Sequence, residues 1–358
     1  MSDFIDDLCK RVELAARNNT QLRPVGGGTK NFYGGPLQGE EVDMRQWAGI
    51  VEYEPTELVI TVKPGTLLAE VEAALAAQKQ ELAFEPPRLD TGGTIGGAIA
   101  SGLAGPARLS KGGVKDYVLG CTLLDGKGQL LHFGGVVMKN VAGYDVARVI
   151  PGSMGTLGIA TELSIKVMPV APAEATLQFE MDVNKAIAQS NEWLSKPLPI
   201  SATFFDNGKL TVRLRGASAA VQAATKNMGG QEMESQQAQA FWTSVRDQQH
   251  AFFKAEGDLW RMAVPPTTVD LAMHGQSVHE WGSGLRWLRA DAGVTAEQIR
   301  ATAKRVGGHA TLYRTGNDAA RVHAFQQPDA VMLKLQRRLK EQFDPAGVFS
   351  INRLSPIL

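Results

Sequence analysis

The chain has 358 residues, more than a single hydrophobic core usually serves, so two lobes are expected. Its 44% hydrophobic and 21% charged residues describe an ordinary globular protein, and 37 basic against 37 acidic residues leave no net field for holding nucleic acid. The two cysteines, Cys9 and Cys121, cannot supply the thiolates of an iron–sulfur cluster or a zinc ribbon, so no metal site is expected, and no run of about 18 apolar residues marks a membrane span.

The opening stretch, MSDFIDDLCKRVELAARNN, carries acids where a secretory signal carries bases, which leads to the expectation of a reduced, cytoplasmic setting. From Phe4 to Ala16, Ile5, Leu8, Val12 and Ala15 recur at helical spacing. A short strand, LRPVG, then runs into the glycine loop PVGGGTK at 24–30. Residues 51–64 (VEYEPTELVITVKP) read as two extended pieces around a turn, and Gly65 leads into a helix from Leu67 to Lys79. Between Thr91 and Ala160 lie 17 of the 38 glycines. From Tyr117, YVLGCTLLDGKGQLLHF reads as a hairpin turning at Asp125-Gly126 and Lys127-Gly128. Residues 159–170 form a further strand that ends at proline.

Glycine thins out after Pro172. Strands such as SATFFDN and KLTVRLRG mix with helices rich in Gln, Ala and Trp up to about Arg300. The last part holds a helix at TAKRVGG, the segment HATLYR, an amphipathic helix from Ala330 to Gln342, and DPAGVFSINRL. The expected domains are 1–171, 172–300 and 301–358.

Glycine lacks a Cβ, so consecutive glycines let neighbouring N–H groups converge on an anion; in the first loop Thr29 adds a hydroxyl and Lys30 a charge. The loop lacks the Gly-Lys-Ser/Thr ending of a nucleotide P-loop, and in the second glycine string Pro106 stops the helix that a dinucleotide fingerprint requires. One glycine triplet alone is more often a plain turn. Three separated glycine loops point instead to one extended, phosphate-bearing cofactor.

The succession PVGGGTK, EPPRLDTGGTIGGAIASGLAG, GGVKDYVLG, MKNVAGYD and GSMGTLGIATELSIKVMP resembles, in order and spacing from about residue 20 to 170, the FAD-binding domain of vanillyl-alcohol oxidase type (PCMH-type) flavoproteins. Over its whole length, with WGSGLRWL at 281–288, GGHATLYR at 307–314 and the terminal DPAGVF, the chain is similar to the FAD-binding subunits of bacterial glycolate oxidases (glycolate dehydrogenases). The resemblance implies an α+β fold: a PCMH-type domain of two α+β subdomains, a smaller α+β cap or substrate lobe, and a C-terminal segment returning to the flavin domain.

It also implies residue roles. Pro24, Val25, Gly26, Gly27, Gly28, Thr29 and Lys30 would cradle the pyrophosphate of FAD. Arg88, Thr91, Gly92, Gly93, Thr94, Gly96, Gly97, Gly102 and Gly105 would run beside the ribityl chain and isoalloxazine. Gly155, Thr156, Leu157, Gly158 and Ile159 would meet the adenosine half. Stretches 24–30 and 88–105 contain no His or Cys, so non-covalent FAD is expected.

For catalysis the candidate is His309, as a base taking the hydroxyl proton while hydride leaves for flavin; the bland reading is a histidine packed in a domain interface. His274, His279 and Trp281 read as a surface turn and lobe packing. Lys139, Asn140, Tyr144 and Asp145 of MKNVAGYD either place polar groups near the flavin or cap a loop, with Asp145 starting a short helix. Arg353 stands where relatives carry a different ending.

The implied activity is oxidation of glycolate, or of D-lactate, with electrons passed to a separate iron–sulfur subunit and with a paralogous catalytic FAD subunit beside it. The setting is cytoplasmic, at the inner face of the membrane if the complex docks there. Two alternatives stay open: an assembly subunit that keeps the flavin fold, and a stand-alone 2-hydroxy acid dehydrogenase. A reductase of peptidoglycan precursors shares the cofactor fold and ranks last.

Overall fold

The computed structural model describes residues 3–135, 145–321 and 323–355. Lys139, Asn140 and Tyr144 therefore lie outside the described residues. The chain forms two compact units, the first from Met1–Leu103, Gly113–Pro169 and Asp318–Leu358, the second from Ala104–Gly112 and Val170–Asn317.

In the first unit the helix Asp3–Asn18 buries Ile5, Leu8, Val12 and Ala15, the stripe that the spacing predicts. Leu8, Val12 and Ala15 share a core with Leu22, Val42, Leu124, Ile159, Val348 and Phe349. Leu22–Val25 pairs in parallel with Glu40–Asp43, and Leu22 also bridges to Phe349, so the end of the chain is knitted beside the first glycine loop.

A five-stranded antiparallel sheet follows the order Ile50–Glu54, Val59–Val62, Ile159–Lys166, Val118–Leu124, Leu130–Gly134. The expected hairpin closes through Asp125, whose Oδ1 accepts from the N–H groups of Lys127 at 2.9 Å and Gln129 at 2.8 Å. Gly128, at φ 80°, completes the turn.

The second unit is built on an eight-stranded antiparallel sheet, in the order Gln231–Glu232, Ala173–Glu180, Lys209–Gly216, Ile200–Asp206, Gly275–Glu280, Leu285–Ala290, Leu259–Ala263, His309–Arg314. Leu177, Leu210, Val212 and Leu214 pack on Trp193 and Val221 from the helices Val183–Leu194 and Ser218–Met228.

This division differs from the expected boundaries in two places. Residues 301–317 belong to the second unit, because the strand His309–Arg314 completes its sheet against Leu259–Ala263. The segment that returns to the first unit begins at Asp318. Residues 104–112 also join the second unit, where Trp281 Nε1 donates to the Gly105 carbonyl at 3.0 Å and Ser110 Oγ to the Ser201 carbonyl at 3.1 Å.

Candidate functional site

Three glycine-bearing loops meet in the first unit around a cleft of ≈ 580 Å³, counting its space open to solvent. The first loop contributes Pro24, Val25 and Gly26, the second Thr94, Gly96 and Gly97, the third Gly155, Gly158 and Ile159. The lining is mainly apolar, with Met44, Pro64, Ile99, Ile150, Met154 and Leu163 among its walls. Sequence reasoning missed those residues. Ile99 and Ala100 lie one helical turn after Gly96 and Gly97 and were accessible from spacing; Met44 and Pro64 carry no such signal.

The first loop continues from Gly26, which lines the cleft, through Gly27, Gly28, Thr29 and Lys30. The N–H groups of Gly26, Gly27, Gly28, Thr29 and Lys30 donate to no protein acceptor among the described residues. Five successive free donors after a strand make an anion-binding nest, and FAD, with its diphosphate, fits such a donor set. Burial with no carboxylate beside it lowers the Lys30 ammonium pKa to about 8.

The glycines build this nest in a way that corrects one expectation. A Cβ on Gly27 would stand 1.6 Å from the Gly92 carbonyl oxygen, and one on Gly26 would stand 2.2 Å from Thr94 Oγ1. Glycine is needed at 27 so that two loops can touch backbone to backbone, and at 26 so that the Thr94 side chain can pack against the first loop. Gly96 likewise packs on Pro64, with a Cβ 2.6 Å from its ring. Gly97 lines the cleft too but has room: its nearest obstacle is Thr94 Oγ1 at 3.3 Å. Thr94 caps the helix Ile95–Ser101 by accepting from the Gly97 N–H at 3.2 Å, and Gly102, at φ 64°, ends it.

The other expected residues are placed as follows. Arg88 pairs with Glu72. The Thr91 N–H donates to Asp90 Oδ1 at 2.6 Å, and Gly92 and Gly93 lie behind the first loop rather than in the lining. Thr156 is buried with its hydroxyl on the Ser153 carbonyl at 2.7 Å, and Leu157 is buried; both back the third loop. Gly105 falls in the second unit. Arg353 is buried and donates to the carbonyls of Tyr33 and Gly35, fixing the chain just past the nest; burial, then Arg321 and Arg23, bring its pKa down to about 10.

Residues 4–134 match the family model of an FAD binding domain. Glycolate oxidase subunit GlcE of Escherichia coli (strain K12) is 40% identical over 352 residues, covering 98% of this chain and 97% of that protein. The chain belongs to the GlcE family of glycolate oxidase subunits. Glycolate oxidase subunit GlcD of Bacillus subtilis is 31% identical over 212 residues, 58% of this chain and 45% of that protein. Among solved structures, alkyldihydroxyacetonephosphate synthase superposes with a TM-score of 0.67 at 15% identity, over 96% of this chain and 73% of that one, which shows a shared fold.

In this GlcE-family chain, His309 opens the edge strand of the second unit opposite Ala263 and is exposed. Partial burial of its ring and the Arg261 guanidinium both lower its pKa, so it is neutral around pH 7. His279 is buried beside the Phe205 ring, 5.9 Å between centroids, and Trp281 is buried as well, in line with packing roles. The His274 carbonyl accepts from the Asp291 N–H at 3.1 Å, at the start of a strand. Asp145 precedes the 3₁₀ turn Val146–Val149 but makes no side-chain cap; it pairs with Arg148 at 2.8 Å. Among the described residues no group of three or more His, Cys, Asp or Glu is arranged to hold a metal ion.

Proposed function

We propose that this chain is the FAD-binding redox subunit of a glycolate oxidase (glycolate dehydrogenase) and takes part in oxidising glycolate, or D-lactate, to the 2-oxo acid. The observation that carries the reading is the apolar cleft that three glycine loops line, with the N–H groups of the first loop, from Gly26 on, unpaired among the described residues, in a chain that carries an FAD binding domain. Residues Gly26 to Lys30 would hold the FAD diphosphate, while Gly97, Ile99, Gly155 and Ile159 would exclude water around the rest of the cofactor. FAD supplies the acceptor for a hydride from C2 of the hydroxy acid. His309 is put forward for the hydroxyl proton on the family resemblance alone.

Binding of FAD is read as non-covalent, because the cleft lining contains neither His nor Cys. Cys121 is buried, and burial raises its thiol to about 12, which removes it as a nucleophile. With two cysteines the chain cannot hold an iron–sulfur cluster, so onward electron transfer is assigned to an iron–sulfur subunit, with a GlcD-like flavoprotein as the further partner. A cytoplasmic location, with any membrane contact made through the complex, agrees with the finding that no helix among the described residues is long and apolar enough to cross a membrane.

A second reading has its own support: His309 is the only histidine of its motif, which suits a subunit whose flavin relays electrons rather than meeting substrate. Acid precipitation separates non-covalent from covalent flavin. The proposal expects stoichiometric FAD in the purified chain, all of it released to the supernatant; flavin retained in the pellet would overturn the non-covalent assignment, and a colourless chain the FAD assignment.

A further inference from the structure

Five of the arginines on the strands of the eight-stranded sheet are anchored. Arg286 and Arg289 donate to main-chain carbonyls, Arg213 to Ser201 Oγ, Arg314 to the Phe253 carbonyl and Gln248, and Arg215 pairs with Glu174 at 3.0 Å. Arg261, on the strand Leu259–Ala263, is the exception. Among the described residues its guanidinium makes no hydrogen bond and no ion pair, and stacks over the Trp281 ring, 5.2 Å from the centroid. A half-buried guanidinium with its planar fork of donors unused is ready to take a bidentate anion.

Its surroundings favour negative charge. The Arg108 guanidinium lies over the same indole, 4.7 Å from the centroid, so two cations share one ring. Trp281 is buried and its Nε1 donates to the Gly105 carbonyl at 3.0 Å, which fixes the platform they stand on. The neighbouring carboxylate, Glu280, accepts from Trp287 Nε1 at 2.7 Å and does not pair with Arg261.

His309 completes the group. In the antiparallel ladder Arg261 stands opposite Thr311 and Ala263 opposite His309, so Arg261 and His309 are diagonal neighbours on one face of the sheet. That diagonal is about 7–8 Å, within reach of long side chains. Burial and then the Arg261 charge lower the His309 pKa, which agrees with their closeness. The His309 ring also makes no hydrogen bond among the described residues.

We propose that Arg261 binds the carboxylate of the 2-hydroxy acid, with His309 taking the adjacent hydroxyl and Arg108 adding positive charge. The inference rests on the glycolate oxidase reading given above and names the residue by which an acid is selected over a plain alcohol. The ligand's chemistry follows from the groups present: a guanidinium fork beside an uncharged imidazole suits a monoanion that also carries a hydroxyl on the next carbon.

The test is modification of the isolated chain, purified with its FAD, by the arginine reagent phenylglyoxal, with peptide mapping by mass spectrometry. Glycolate should slow modification of Arg261 about fivefold or more, leave the exposed Arg305 unaffected, and have no counterpart with ethylene glycol, which lacks the carboxylate. In the assembled complex, Arg261→Met should raise the KM for glycolate about tenfold or more, and Arg261→Lys should recover part of the loss. Both variants should keep wild-type FAD content and melting, because the guanidinium anchors nothing in the fold. Arg261 modified equally with and without glycolate, protection by ethylene glycol as strong as by glycolate, or an Arg261→Met complex with the wild-type KM overturns the proposal and leaves the subunit reading standing. Protection of Arg261 with no oxidation of glycolate by the complex overturns the subunit reading, and the assignment of the anion to a substrate with it.

Discussion

Lys340 and Asp344 form a buried ion pair, Nζ to Oδ2 at 2.6 Å, that fastens the C-terminal segment to the third glycine loop. Asp344 has no exposed side-chain surface and also accepts from the N–H groups of Val348 and Phe349, each at 2.8 Å. Lys340 reaches the Thr156 carbonyl at 2.6 Å, in the third glycine loop. Gly126 closes the arrangement, because a Cβ there would lie 2.2 Å from Asp344 Oδ1.

Removing one partner leaves the other charge buried and uncompensated. Lys340→Met is therefore expected to cost about 3–5 kcal/mol by denaturant unfolding. The exposed Lys334→Met should stay within about 0.5 kcal/mol. Equal effects would mean that the pair is not what fastens the segment.

Gly27 and Gly97 separate two roles that glycine plays at the cleft. Gly27→Ala drives a Cβ into the Gly92 carbonyl, so melting of the FAD-free chain should fall by several degrees and FAD should be lost with it. Gly97→Ala meets only Thr94 Oγ1 at 3.3 Å and should leave melting nearly unchanged while weakening FAD by about tenfold, since it lines the cleft. Calorimetry of the stripped chain and FAD titration distinguish the two. A Gly97→Ala chain that binds FAD as the wild type does would place the cofactor elsewhere.

Lys30 gives the cleft a pH dependence. Its folded pKa, about 8, lies below the ordinary 10.5, so the cost of burying the ammonium is present below pH 8 and is relieved as pH rises toward 10.5. The FAD-free chain should thus gain stability across that window. FAD binding should weaken across it, because the neutral amine no longer attracts the diphosphate. Lys30→Met should bind FAD more weakly at pH 7 and abolish the dependence; a variant that keeps the wild-type pH profile would remove Lys30 from the site.

His279 sets an acid limit on the second unit. Burial, reinforced by the Arg286 guanidinium, lowers its pKa to about 3 against an ordinary 6.5, and its Nδ1 has no hydrogen-bond partner among the described residues. Below pH 6.5 the unfolded chain takes up a proton that the folded one refuses, so stability falls with pH through that window. The loss should reach on the order of 3 kcal/mol by pH 4. His279→Leu should flatten this arm of the stability curve, measured by urea unfolding from pH 7 to pH 4.

Much of the first unit was legible because its signals are local. Glycine order located the three loops, spacing located the helix Asp3–Asn18, and Asp125 with Gly128 located the hairpin turn. What was not legible depends on pairing across long separations. Nothing local marks Met44 and Pro64 as walls of the cleft, or Lys340 as the partner that reaches Thr156. The segment HATLYR is an edge strand only because Leu259–Ala263 offers it hydrogen bonds, and sequence placed it with the wrong unit. Gly27 was found for a ligand's sake, and its need comes from Gly92.

The most direct test of the account is anaerobic addition of glycolate to the chain within its complex, followed by the visible flavin band. The account predicts that FAD bound to this chain bleaches, and that the isolated chain bleaches as well if His309 meets substrate, with His309→Asn removing that response. Flavin on this chain that stays oxidised in both states, while the complex turns over glycolate, would contradict it.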